Sequence, residues 1–466
     1  MTTKEADMTP TSLHSKGRRA APVLLALVVL AALALVVAAC GSSSSSPSAT
    51  ASGSPGVLPS PTPGSSITVV YHYPAPPKSV LDQFTAQTGV KVNWVEIGWD
   101  NLQTKIATAA TSNTYFADLT DVDWSKVGQY YKTKWFTPLN PYFDAAALKA
   151  DMPQIDTFAS NGQQLALPFD SSFTVTTLNT KIAKAAGVTG TPATLTDYTN
   201  ALNKIMAKGT VPNPLDIPFA AAEGLSTYWY QLTAAYGGQV LDASYTPQFI
   251  SPGSAGYKAL EWMVNAYKSG LVPKANIGMA DYQAFTSDMA QGRVASVFSD
   301  YAGTVGSIYD VPSSSKVVGQ VQYIPTPGVS GPAPNLANPD GIGIPATAKN
   351  VAGALAFIKW FTDTQQQAIW AGLNGASDVI SGFPLPARVS SLQLLAQGNK
   401  VSGASELMTL LKTSRAEFPG PGAPPWYSQF SNAVYTNIHQ AAAGAETVQQ
   451  AVSNIATEVD QLKASQ

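Results

Sequence analysis

The chain has 466 residues, 27 Lys and Arg against 29 Asp and Glu, and a formal charge of −2, with charged residues only 12% of the total. No basic stripe is present, which excludes a nucleic-acid partner, because phosphate binding needs clustered Lys and Arg. The three histidines (His14, His72, His439) and single cysteine (Cys40) exclude a multi-histidine metal centre, a Ser-His-Asp triad and an internal disulfide, and no Gly-rich phosphate loop occurs.

In chain order, the first feature is Lys16, Arg18 and Arg19 followed by an uncharged apolar run, Ala20 to Ala39, then Cys40, Gly41 and a serine tract. A basic start, an apolar middle and small residues before a cut site make an export signal. The stretch Val37-Ala38-Ala39-Cys40 resembles the lipobox of bacterial lipoproteins, in which the cysteine becomes the first mature residue and carries lipid. On this reading residues 1–39 are a signal peptide and Cys40 is the lipidation site. The body then lies on the outer face of the membrane, since the positive charges precede the apolar run. A spanning helix that stays in place is the competing reading of such a run. Residues 40–66, rich in Ser, Pro and Gly, form a disordered tether with an r.m.s. reach of about 30 Å. Without residues 1–39 the chain has 23 basic and 27 acidic residues, a charge of −4.

The body opens with a β-rich run, Ile67 to Tyr71, and a helix over Ser79–Gly89 with Gly89 as its stop. A strand over Val90–Val95, a helix over Asn101–Thr111 and a strand over Leu119–Val122 follow. This alternation predicts an α/β lobe with a mostly parallel sheet, whose ligand groups collect in loops at the carboxyl ends of strands. Those loops carry His72 and Tyr73, then Glu96 and Trp99, then Asp121, Asp123 and Trp124. Further along, Thr196 is the expected N-cap of a helix running through Ala207, and Tyr228-Trp229-Tyr230 lies in an apolar helix ending at Gly237-Gly238. Tyr257–Gly270 and Asp281–Gln291 read as helices, and Ala295–Phe298 as a strand stopping at Ser299-Asp300-Tyr301.

The ordered set of these segments resembles the bacterial extracellular solute-binding proteins (family 1) of ABC importers, in the sugar-binding lipoprotein branch. The resemblance rests on Asn113–Val122, Leu167–Asn179, Thr191–Tyr198, Phe285–Tyr301, Gly341–Asn350 with the helix Ala352–Phe361, Gly382–Arg388, Pro424–Ile438 and Thr447–Leu462. It implies an α/β, two-lobe periplasmic-binding-protein-like (type II) fold with three hinge crossings and an interlobe cleft. The first lobe would comprise 67–172 plus 343–382 and the second 173–342 plus 383–466. It also implies a monomeric, non-enzymatic binding protein that docks on the transmembrane subunits of an ABC permease, with no cofactor. The first crossover carries Asp170-Ser171-Ser172, where many relatives carry a glutamate or tyrosine after the proline, so ligand identity does not carry over.

A sugar offers hydroxyls at its edge and C–H groups on its face, and its site needs carboxylates, amides and aromatic plates. Asp123 and Asp170 are the expected hydroxyl acceptors, with Asp300 and Asp340 added from second-lobe loops. Trp124, Tyr301 and Trp426 are candidate plates, with Trp229 and Tyr230 behind them and Tyr73 and Trp99 in the loops. A core role for Trp229, a cap for Asp300 and a turn for Asp340 compete with those assignments. The same aspartates and aromatics would serve a polyamine, and Tyr130-Tyr131 raises a ferric ion, although that pair, before Lys132 in a helix-like segment, reads as surface packing. A surface glycosidase is the enzymatic rival, but Asp121 and Asp123, two apart on a strand end, suit turn chemistry better than an acid/base pair.

Overall fold

The structure, a computed structural model, describes residues 57–280, 282–375 and 385–466. The leader, Cys40, most of the tether and the expected crossing near 382 lie outside the described residues. Two sheets organise the body. Strands β1 (Ser66–Tyr71), β2 (Lys91–Glu96) and β3 (Leu119–Asp123) come first, then the two-residue hairpin β4 (Ala159–Ser160) and β5 (Gln163–Gln164), and β6 (Leu167–Pro168). Next come β7 (Thr174–Asn179), β8 (Leu215–Asp216), β9 (Ser296–Tyr301), β10 (Val321–Ile324) and β11 (Asp340–Gly343). The first sheet has the order β2-β1-β3-β11-β6 and the second β10-β7-β9-β8. Strands β1, β2 and β3 are parallel, as alternation with helices requires, and β11 returns antiparallel against β3 and β6. Each sheet with its helices forms one lobe of a two-lobe, periplasmic-binding-protein-like α/β fold.

Local chemistry explains the element ends. The helix Lys78–Thr88 stops at Gly89, which adopts φ 72° and donates to Thr85. The helix Leu195–Lys208 is capped by Thr194 rather than by Thr196. Thr194 is extended, and its hydroxyl oxygen accepts from the Asp197 N–H at 3.1 Å while its O–H donates to the Asp197 carboxylate at 2.7 Å. That reciprocal pair needs an acidic residue three positions on, which Thr194 has and Thr196 lacks. The closing helix Val448–Ala464 starts with a full capping box between Thr447 and Gln450.

The first-lobe core gathers Val69, Tyr71, Leu119, Phe169, Ile342, Phe357, Phe361 and Trp370. The helices Glu223–Ala235, Ala255–Ser269, Tyr427–Ala443 and Val448–Ala464 pack together in the second lobe. Three backbone segments run side by side where the sheets meet. Asn338 donates to Ser172 O at 2.8 Å, Thr174 to Leu336 O at 3.0 Å, and Ser171 to Leu385 O at 2.9 Å. The return segment, 336–343, is tightly fitted. A Cβ at Gly341 would lie 2.6 Å from the Phe158 ring and 2.9 Å from the carbonyl oxygen of Val122. Because the second neighbour is backbone, Gly341→Ala is expected to lose about 1–3 kcal/mol in denaturant titration.

Candidate functional site

Trp124 opens the short turn Trp124–Lys126 at the end of β3. Asp123 builds that turn, its Oδ1 accepting from the Ser125 N–H at 2.9 Å and its Oδ2 facing the Lys126 ammonium at 3.1 Å. The indole N–H of Trp124 donates to Asn338 Oδ1 on the return crossing, and Asn338 Nδ2 donates to the Tyr301 hydroxyl at 3.4 Å. A residue of the first lobe, one of the crossing and one of the second lobe are thereby joined. The Trp124 ring stands edge-on to Tyr427 at 5.3 Å and stacks near Phe418 at 6.5 Å.

Beside this ring lies a narrow crevice lined also by Thr174, Thr227, Tyr230, Asn338 and Glu417. Glu417 reaches it because its loop is pinned to the crossing: Ala337 donates to Arg415 O at 2.8 Å, and Arg415 donates to Asn335 O at 2.9 Å. Glu417 is buried, and its Oε2 has no hydrogen-bond partner among the described residues. Burial pushes its carboxyl up to about 8, against the smaller opposing pull of Arg415. A neutral carboxyl both donates and accepts. Its walls hold a tryptophan plate, an amide and hydroxyls, the residue types that a polyhydroxylated ligand needs, but the crevice encloses only about 10 Å³, the room of one water, so a sugar enters only where the lobes part further than here.

A second polar group sits where β1, β3 and β11 end. The Tyr73 hydroxyl lies between Asp340 Oδ2 at 3.1 Å and Asp170 Oδ2 at 3.3 Å, and Asp170 Oδ1 accepts from the Asp340 N–H at 3.1 Å. His72 Nε2 is 3.4 Å from Asp340 Oδ2. Burial, then the Asp340 charge, hold both Asp121 and Asp170 well above the usual carboxylate range.

Several expected site residues have other employment. Asp340 was assigned to a second-lobe loop, but it is the first residue of β11, paired with Asp123 in the first sheet. Asp300 is fully buried in β9, one oxygen taking the O–H groups of Thr177 and Tyr309, each at 2.7 Å, and the other the Tyr301 N–H. Burial raises it to about 6, and, fully buried with both oxygens already bonded, it takes no part in the crevice lining. Trp229 is core: its ring meets Phe249 and its indole N–H donates to Gly256 O at 2.8 Å. Trp426 is likewise buried, edge-on to Tyr245 and Phe430. Trp99 is exposed, with the Lys126 ammonium 5.1 Å above its ring and no place in the crevice lining. Tyr130 lies in the core rather than at the surface, and its hydroxyl donates to Gln103 at 3.1 Å. Trp124 and Tyr230 line the crevice, Tyr301 is linked to it through Asn338, and Asp123 shapes its turn. Tyr73 and Asp170 belong to the polar group at the crossing. Sequence reading missed Glu417, Asn338 and Thr227. The available signal for Glu417 was a carboxylate leading into the Pro- and Gly-rich stretch Phe418 to Pro425.

A model of the family described as bacterial extracellular solute-binding protein matches residues 70–368. No curated protein is a significant match. Among solved structures, the chain is similar to the sugar-binding protein MalE of Xanthomonas citri, with 16% identity, a TM-score of 0.70, and 86% of this chain and 98% of that one covered. It is similar to maltose-bound MalE3 of T. maritima, with 18% identity, a TM-score of 0.68, and 85% and 100% covered. A solute-binding protein of Agrobacterium radiobacter K84 in complex with ribitol gives 21% identity, a TM-score of 0.67, and 86% and 100% covered. With the family model matching residues 70–368, well over half of the chain, the chain belongs to the bacterial extracellular solute-binding proteins.

Proposed function

We propose that this protein is the lipid-anchored binding component of an ABC importer, taking a sugar or polyol between its lobes beside Trp124, when they part to widen the crevice, and presenting it to the permease. The observation that carries the reading is Glu417, whose buried Oε2 has no partner among the described residues, lining the same crevice as Trp124. The ligands named for the similar structures, maltose and ribitol among them, are polyhydroxylated, which supports the same reading. Binding would act through lobe closure. Trp124 comes from the first lobe and Thr227, Tyr230 and Glu417 from the second, so a ligand touching all four favours the closed form by contacts found only there. Shifting a 1:99 balance to 99:1 takes about 5.5 kcal/mol of differential binding, within reach of one stacked ring and several hydrogen bonds. The lipid on Cys40 and the tether would keep the body near the permease.

A thermal-shift screen against maltose, ribitol, mannitol and spermidine tests the assignment. A ligand at about 100 times its Kd stabilises the fold by about 2.7 kcal/mol. A saccharide or polyol is expected to do so, and Trp124→Ala to weaken it by at least about tenfold. Stabilisation by spermidine alone would replace the assignment with a polyamine binder.

A further inference from the structure

We propose that His72, Asp121 and Asp340 form a binding site for a divalent transition cation of the Zn2+ or Mn2+ class, clamping the return crossing to the first-lobe sheet. The residues come from three neighbouring strands: His72 follows β1, Asp121 lies in β3 and Asp340 opens β11. One ligand atom from each lies within 4.8 Å of the others. The His72 Nε2 to Asp340 Oδ2 distance is 3.4 Å, the edge of a tetrahedron whose metal–ligand bonds are about 2.0–2.1 Å.

An independent observation points to a ligand. Asp121 is fully buried, and while Oδ2 accepts from Gln103 Nε2 at 2.6 Å, Oδ1 has no partner among the described residues. A buried carboxylate oxygen without a donor is costly, and a cation supplies what the protein does not. Among the described residues no Lys or Arg forms an ion pair with Asp121, Asp170 or Asp340.

The donor types set the metal class. One imidazole and two carboxylates suit Zn2+ or Mn2+, whereas Ca2+ favours oxygen donors alone and Cu(I) favours sulfur. An outer layer is already in place. Gln103 orients Asp121 and is itself held by Tyr130 at 3.1 Å and Lys126 at 3.0 Å, and Tyr73 donates to Asp340. Because Asp340 is the first residue of β11, an ion bound there ties the crossing to β1 and β3 without touching the sugar crevice.

The test uses the full chain, purified in detergent and stripped with a chelator, with no sugar present. Zn2+ and Mn2+ are titrated separately by calorimetry, and Co2+ serves as an optical probe. One equivalent bound, with visible Co2+ absorption of a low-coordinate nitrogen–oxygen site, is the expected result. Asp121→Asn and His72→Gln should each weaken Zn2+ binding at least about tenfold. Failure of the unmodified chain to bind either Zn2+ or Mn2+ at one equivalent overturns the site, as does binding that both variants retain in full. Should Asp121→Asn not fold, His72→Gln supplies the variant comparison, and the Co2+ spectrum needs no variant.

Discussion

Exchanging Glu417 for glutamine is expected to make the protein progressively more stable than its parent as pH rises from 4.5 to 8. The folded carboxyl ionises near 8 and is held there chiefly by burial. In the unfolded chain it ionises near an ordinary glutamate value of about 4.3. Between those limits the folded state holds a proton that the unfolded state has released. Stability is therefore fully present below the unfolded value and falls as pH rises through the folded one. At about 1.4 kcal/mol per unit the loss from this one group reaches up to about 5 kcal/mol above pH 8. Glutamine cannot ionise, so the Glu417→Gln profile lacks that share. Asp216, raised to about 7, and Asp300, raised to about 6, both chiefly by burial, slope in the same direction and persist in the variant. Denaturant titrations of both proteins at pH 5, 7 and 9 give the difference directly. Parallel profiles would mean that Glu417 is hydrated rather than buried, which would remove the crevice's most distinctive group.

The order of elements was legible because each rests on local chemistry. The strands Ile67–Tyr71 and Leu119–Val122 announce themselves by β-rich composition, and the helix before Gly89 by its apolar face and its left-handed stop. Trp124 was legible because a carboxyl-end loop in such a sheet is a favoured ligand position whatever else surrounds it. The errors are all non-local. Asp340 before Gly341 reads as a loop position of the second lobe, and only its pairing with Asp123 makes it the first residue of a first-sheet strand. Trp229 and Tyr230 are adjacent on one helix, yet Phe249 takes the first into the core while the second reaches the crevice. Asp300 resembles a loop ligand until Thr177 and Tyr309, remote and near in sequence, occupy it. Glu417 is the converse: a lone carboxylate whose burial depends on a loop fastened 80 residues away to Asn335.

Phe169→Ala is expected to lose about 3–5 kcal/mol, the cost of deleting a fully buried phenyl ring whose surroundings cannot collapse around the gap. The ring lies 4.4 Å from Tyr71, nearly parallel to it, 4.4 Å from Phe361 and 5.5 Å from Tyr73. Its backbone is fixed on both sides, the N–H donating to Asp340 O at 2.8 Å and the carbonyl accepting from Gln367 Nε2 at 2.7 Å. The backbone therefore stays in place and the cavity remains. The two tyrosines that the ring supports also hold the return crossing: the Tyr71 hydroxyl donates to Gly341 O at 3.0 Å, and Tyr73 bridges Asp170 and Asp340. Loosening them widens the range of crossing geometries and reduces preorganisation of the closed form, so ligand affinity should fall along with stability. Denaturant titration followed by tryptophan fluorescence suits the test, since Trp94, Trp360 and Trp370 report from the same core. Ile250→Ala, at an exposed position, serves as the control and should stay within about 0.5 kcal/mol of the parent. A large stability loss with unchanged ligand affinity would show that the first-lobe core and the crossing move independently, against the mechanical link that the Phe169 stack builds between them.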